Sequence, residues 1–457
     1  MLRVALGILV AGCGLAASSV ENFDSDPGWQ GINNRPAPGS GVHKVQNFGY
    51  AHSNFAGGNT GEIGGTIARS FTPANYARSI PERTLDDPLS ASGTFAVTRS
   101  NGGGMLVGWF NENSRGWRTP NSLAFRIDGE SGKYRLLYEY GTQTWKTGGG
   151  GAFEGIYQTT STPMYLADGT VHHWKLDYDP NGADGQGLIA FQVDDQRFST
   201  ALDPGHRAEG AVFNRCGIFN QMIAGSDIDV YLDDLTVDGQ REDFAKDPGW
   251  IEVGNRSEFT DTLVRPLHNF GYSATNHAGG APGEIGGVVW RIESMNPEQS
   301  ACYASPVNNL NFNKPFRASG KVAMTAASAD SGLLLGWFND KTIYGAPPLN
   351  FAGVLIEGPS RAGHYFRPVW GSSDEEKRVA DVGPTIRPDS RSHVWSIEYN
   401  PETSIITSSL DGVEASLEIS PAARKGNAAL NRFGILTWMR GGHFVEVYFD
   451  DVEFTRD

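Results

Sequence analysis

Apolar and polar residues alternate along much of this chain. In the stretch His172 to Tyr178, Trp174, Leu176 and Tyr178 fall on one face of an extended strand, and Lys175 and Asp177 fall on the other. A second stretch repeats the pattern with Trp395, Ile397 and Tyr399 against Ser396 and Glu398. Each strand runs into a turn, Asp179-Pro180 or Asn400-Pro401. A further strand then leads to an acidic turn, Val193-Asp194-Asp195 or Leu410-Asp411-Gly412, which closes a hairpin. No segment holds apolar residues at helical spacing for long. The pattern predicts an all-β protein of many short strands, one face of each in a core and the other wet.

The same pattern occurs twice. NFGYAHSNFAGGNTGEIGG at 47–65 and NFGYSATNHAGGAPGEIGG at 269–287 match at 13 of 19 positions. DPGW recurs at 26–29 and 247–250, GWFN at 108–111 and 336–339, and YLDDL and YFDDV start at Tyr231 and Tyr448. A repeat this long is too large for a solenoid unit and suits one complete β-sandwich. The expected organisation is an export signal over 1–18, one sandwich over 19–238 and a second over 239–457.

Composition narrows the class of partner. The chain has 457 residues, 58 of them glycine, with 39% hydrophobic and 11% aromatic content, which is globular and turn-rich. Its 37 Lys and Arg are scattered among 52 Asp and Glu, a net charge of −15, which argues against a nucleic-acid partner. The first residues, MLRVALGILVAGCGLAASS, place Arg3 before a short apolar run and small residues after it, as an export signal does. Val10-Ala11-Gly12-Cys13 resembles the lipobox of bacterial lipoproteins, in which the cysteine carries a lipid anchor. The other reading is ordinary signal cleavage near Ala17 or Ser18; either route exports the chain, to a bacterial cell surface, the periplasm or the medium. Of the remaining cysteines, Cys216 aligns with Phe433, so a core position explains it better than a disulfide or a metal ligand.

GTVHHWKLDYDP followed by GLIAFQVDD, and SHVWSIEYNP followed by IITSSLDG, resemble the paired strands of laminin-G-like and concanavalin A-like jelly rolls. The closing VYLDDLTV and VYFDDVEF are similar to the last strand of such domains. The resemblance implies two tandem jelly-roll sandwiches. It leaves activity open, because lectins, adhesion modules, glycosidases and lyases share that fold, generally with ligands on the concave sheet or its rim loops.

Several residues carry candidate chemistry. Trp109 with Asn111, and Trp337 with Asn339, suit a sugar that stacks on an indole and hydrogen-bonds an amide; the alternative is a Trp packed inside. Glu62 and Glu284 stand alone in GEIGG, without the second glutamate that laminarinase-type glycosidases carry on that strand, so they hold a loop or touch a ligand. Arg69 and Arg291, seven residues on, pair with an acid or face a ligand. His172 and His393 make a structural hydrogen bond at a strand end or act as a base. Structural calcium is expected at Asp26 and Asp247 of the opening turns together with Asp233 and Asp450 of the closing strands, against a reading of these as solvated turn carboxylates and local caps. Features confined to one copy, among them His52, Trp117, Trp145, Trp290, Trp370, Trp438 and His443, are where the copies would differ in function. The functional reading is an exported protein that binds polysaccharide or another glycan. A polysaccharide lyase or hydrolase and a structural or adhesive protein without a sugar ligand are the alternatives.

Overall fold

A computed structural model describes residues 18–36, 41–70, 72–115, 118–151, 165–220, 225–261, 266–328, 330–358 and 362–457. The expected lipobox and Trp117 lie outside the described residues. The chain is all-β: four antiparallel sheets form two sandwiches, and the only helices among the described residues are single turns such as Pro421–Gly426.

In the first sandwich, one sheet centres on Val171–Asp179, Leu89–Ser100, Asp227–Val237 and Glu62–Ala68, and the facing sheet on Lys133–Gly141, Ser122–Glu130, Gly104–Phe110 and Val212–Asn220. The alternation seen in the sequence fills the space between them. Phe125 stacks on Phe191 with centroids 4.9 Å apart and meets Trp174 at 4.8 Å. The second sandwich repeats the arrangement, with Phe433 stacked on Phe454 at 4.4 Å and Trp337 against Phe316 at 4.7 Å. Cys216 is buried in the first core, as its alignment with Phe433 requires.

The strands do not keep to the expected boundaries 19–238 and 239–457. Residues 240–261, which open the second copy in sequence, pack on the first sandwich: Gln240–Glu242 pairs with Asp227–Val237, Ile251–Val253 with Ala74–Thr84, and Arg256–Asp261 with Val42–Ala51. Residues 19–35, which open the first copy, pack on the second sandwich together with Ser18 of the expected signal. There Ser18–Glu21 pairs with the final strand Phe444–Thr455, and Gln30–Ile32 with Cys302–Leu310. Each sandwich is therefore completed by an arm assigned by sequence to the other copy.

The repeated motifs are this docking joint. In the second sandwich, Phe23 and Trp29 of the arm are buried in the core, edge to face at 5.5 Å, and Trp29 leans on Tyr303 at 5.8 Å. In the first, Phe244 and Trp250 repeat the edge-to-face pair at 5.4 Å and Trp250 stacks on Tyr76. The Asn-Arg of each arm reads the backbone of NFGY: Asn34 Nδ2 donates to the Phe270 carbonyl at 2.6 Å and Arg35 to that of Tyr272, as Asn255 does to Phe48 at 2.5 Å and Arg256 to Tyr50. The glycine of NFGY makes room for this. A Cβ on Gly49 would lie 3.1 Å from the side chains of Asn255 and Arg256, and one on Gly271 about as close to Asn34 and Arg35, while both glycines sit at positive φ. Gly61 and Gly283, which precede the glutamates, face the arm still more closely, since a Cβ would meet the carbonyl of Phe244 at 2.0 Å or of Phe23 at 1.9 Å.

Trp29→Ala opens a cavity at the joint and should cost about 3–5 kcal/mol of stability. Trp250→Ala should cost less, because Trp250 is only partly buried. Urea denaturation followed by tryptophan fluorescence checks both, and an unchanged midpoint for Trp29→Ala would mean that the arm does not hold the second sandwich together.

Candidate functional site

Most of the expected site residues serve the fold. Trp109 and Trp337 are both fully buried in the two cores, and the Trp337 indole donates to the Thr455 carbonyl at 3.0 Å. No face of either ring is open to a sugar, which corrects the stacking reading in favour of packing. Asn111 and Asn339 follow the ends of those strands. Asn111 Nδ2 donates to the Val212 carbonyl at 3.2 Å while Oδ1 accepts from Asn113 N, and Asn339 ties to Ala429 and Lys341 in the same way. Both asparagines fasten a loop to the neighbouring strand.

Glu62 is buried and accepts from the amides of Phe55 at 3.0 Å and Ala56 at 2.7 Å; Glu284 accepts from His277 and Ala278 at 2.9 and 2.8 Å. Each glutamate closes the glycine-rich loop that receives the arm, which replaces the ligand-contact reading. Arg69 pairs with Asp261 of the joining arm at 2.5 Å, and Arg291 with Glu357, so neither meets the glutamate of its own motif. His172 Nδ1 lies 2.7 Å from Asp194 Oδ2 and His393 Nδ1 2.6 Å from Asp411 Oδ2, in both cases at the acidic hairpin turn. The His172 ring packs between Phe95 and Tyr165, as a structural histidine does. Burial pushes the Asp194 carboxyl up, but the hydrogen bond from His172 and the amide of His173 outweigh it and hold the carboxyl below the usual range.

The four aspartates expected to hold calcium do not converge. Asp26 accepts from Gly28 N at 2.9 Å and from the Tyr303 hydroxyl at 3.3 Å, and Asp247 accepts from Gly249 N and the Tyr76 hydroxyl at the same distances. Topology brings Asp26 to the sandwich of Asp450, and Asp247 to that of Asp233. Among the described residues, no three His, Cys, Asp or Glu side chains come together as metal ligands. Asp233 and Asp450 are buried, and burial, with the charges of Asp234, Glu62 and Asp243 on the first and of Asp451 and Glu284 on the second, pushes each carboxyl up to about 6.

A different set of residues lines a cleft of about 590 Å³ where the two sandwiches meet. One wall comes from rim loops of the first: Asn111, Asn113, Arg115 and Asn121 between Gly104–Phe110 and Ser122–Glu130, and Trp145 from the turn between Lys133–Gly141 and Thr147–Gly151. The other wall is the outer face of a sheet of the second, where Val288, Glu446 and Ala326 sit side by side across three strands, flanked by Thr325, Phe444 and Asp389. Of the expected site residues the cleft takes in only Asn111. Trp145 was legible as a feature of one copy. Glu446 and Asp389 were not, because nothing in a single strand's alternation tells which sheet face will meet the neighbouring sandwich. Trp290, Trp370 and Trp438, the copy-specific tryptophans of the second half, are all buried.

Trp145 holds a left-handed backbone, φ 67°, in a turn where Thr142 N donates to the Lys146 carbonyl at 2.8 Å. The matching turn of the second copy keeps the bond, Ser372 N to the Glu376 carbonyl at 2.8 Å, and places Glu375 at φ 73°. The turn forms without an indole in the second copy, so its backbone does not require Trp145.

No family model matches the chain, and no curated protein is significantly similar to it. Among solved structures, the chain is similar to domains LG4-5 of the mouse laminin alpha1 chain, at 12% identity over 85% of this chain and 87% of that one, with a TM-score of 0.26. A lectin from Bauhinia forficata in complex with GalNAc matches 41% of this chain and 90% of its own at 11% identity and a TM-score of 0.27. Peanut lectin with a 9-residue peptide matches 41% of this chain and 89% of its own at 15% identity and 0.25. Likenesses this distant add no weight to the strand pairings, on which the fold rests.

Trp109→Ala and Trp337→Ala should each cost about 3–5 kcal/mol of stability, read from denaturation midpoints; melting curves that match the parent would place the rings outside the core. A pH test follows from Asp233 and Asp450. Their folded-state pKa lies above the unfolded value of about 3.9, so the stability they contribute is full at low pH and is lost as pH rises through about 6. Burial holds His268 and His364 down at about 4, so these contribute in the opposite sense, fully above about 6.5 and less as pH falls. The double variant Asp233→Asn, Asp450→Asn removes only the first effect, and its melting temperature should rise relative to the parent between pH 5 and pH 7. A constant difference across that range would count against raised carboxyls.

Proposed function

We propose that the protein binds glycan, holding an uncharged saccharide in the cleft between its two sandwiches. The observation that carries this is Trp145, an indole presented on a strained turn beside the amides of Asn111, Asn113 and Asn121, where the second copy makes the same turn with Glu375. A half-exposed ring offers a stacking platform for sugar C–H groups, and amides on one wall with Thr325, Asp389 and Glu446 on the other offer hydroxyls both donors and acceptors. A net charge of −15 favours a neutral or cationic ligand over a polyanion at this cleft. Export belongs to the same reading, supported by Arg3 and the apolar run behind it, with Cys13 as the lipid attachment point on the lipobox resemblance.

Retention on a panel of immobilised neutral polysaccharides tests the reading. Trp145→Ala should weaken retention, with affinity falling by about 1 kcal/mol or more for the lost ring, and should leave the melting temperature close to the parent's. Binding as tight as the parent's in Trp145→Ala, or no retention on any polysaccharide, would overturn it.

A further inference from the structure

The second sandwich holds a cluster of guanidinium groups that the first lacks. Glu357, on Phe351–Gly358, is buried and takes three donors: Arg291 and the Trp438 indole, at 3.2 Å, on one oxygen, and Arg367 on the other. Arg440 stands over the same carboxylate at 3.9 Å, too far for a hydrogen bond, with 64% of its side chain exposed. Asp330 is the other acid whose charge reaches Arg291. Three arginines thus gather around Glu357, and the Glu293 carboxylate comes near Gly441, next to Arg440.

The donors are in excess. The Nε atoms of Arg291 and Arg367 are buried and have no hydrogen-bond partner. A buried N–H without an acceptor is costly, and so is a buried charge without a partner. His364 feels the same field: burial, then the charge of Arg291, pushes its pKa down to about 4.

Comparison with the first copy separates this cluster from what the fold needs. Strand register puts Asp128 opposite Arg135 where the second copy has Glu357 opposite Tyr365, and puts Leu137 in the place of Arg367. In sequence, Ile223 stands in the place of Arg440. Arg69 does match Arg291, but it is spent on Asp261, the arm carboxylate of the first sandwich. The same sandwich therefore forms without the cluster.

We propose that Arg291, Arg367 and Arg440 form a binding site for a sulfate or carboxylate group, with Arg440 as the outer arm that closes on it. A planar guanidinium presents paired N–H groups that match the oxygens of either anion. Glu357 holds the two inner arginines in place, and Trp438 fixes Glu357. The site is independent of the cleft and of the uncharged ligand proposed there. The anion is either free or carried on an acidic saccharide.

Thermal melting and calorimetry in sodium sulfate, against sodium chloride at equal ionic strength, test the site. Sulfate should raise the melting temperature saturably. Arg440→Ala should weaken sulfate binding at least about tenfold, whereas Arg440→Lys should retain part of it and Arg378→Ala, a change at another exposed arginine of the same sandwich, all of it. Arg440 is exposed, so its removal leaves folding intact. A sulfated polysaccharide and a polyuronate, each compared with its neutral counterpart, identify the source: competition with sulfate assigns the site to an acidic glycan, and sulfate binding without competition assigns it to a free anion. Should Arg440→Ala respond to sulfate as the parent does, the effect is the general exclusion of that salt from protein surfaces, and the proposal fails.

Discussion

The structure depends on the seating of a short arm in a glycine-lined socket. Each arm supplies an aromatic pair to a core, Phe23 with Trp29 or Phe244 with Trp250, and an Asn-Arg that bonds to the backbone of NFGY. Each socket answers with glycines where the arm passes and a glutamate that pins the loop from within. Side chains at those glycine positions would occupy the path of the arm, so arm and socket constrain each other. The motifs most alike between the two copies are the two halves of this joint.

That explains why the fold was more legible than the site. Alternation in strands such as Val171–Asp179 reports which residues face a core, because burial of one face is a local property of the strand. The all-β class and the pairing of sheets follow from it. The ownership of the arms was not legible, since a repeat in sequence marks where a unit recurs and carries no information on which sandwich a segment will join. Reading the repeats as domains assigned residues 19–35 to the first sandwich, whereas hydrogen bonds place them on the second.

For the site, similarity between the copies pointed the wrong way. Trp109, Trp337, Glu62 and Glu284 stand at matching positions, and all four are buried in service of the fold. Differences between copies were more informative. Trp145 against Glu375 on one turn, and Arg367 against Leu137 on one strand, change chemistry without changing backbone. Such positions are where the two copies can differ in what they bind. Yet sequence alone could not place Glu446 and Asp389 across from Trp145, because that wall exists only once two sandwiches meet.

Because Ser18 pairs with Thr455, the first described strand lies beside the last. The described strands trace a circle opened at one point. Joining residue 457 to residue 18 and breaking the chain before residue 41 would reorder it from arm-sandwich-arm-sandwich to sandwich-arm-sandwich-arm, so that each arm followed its own socket directly. The two halves would then be equivalent in connectivity as well as in shape, and neither core would have to move.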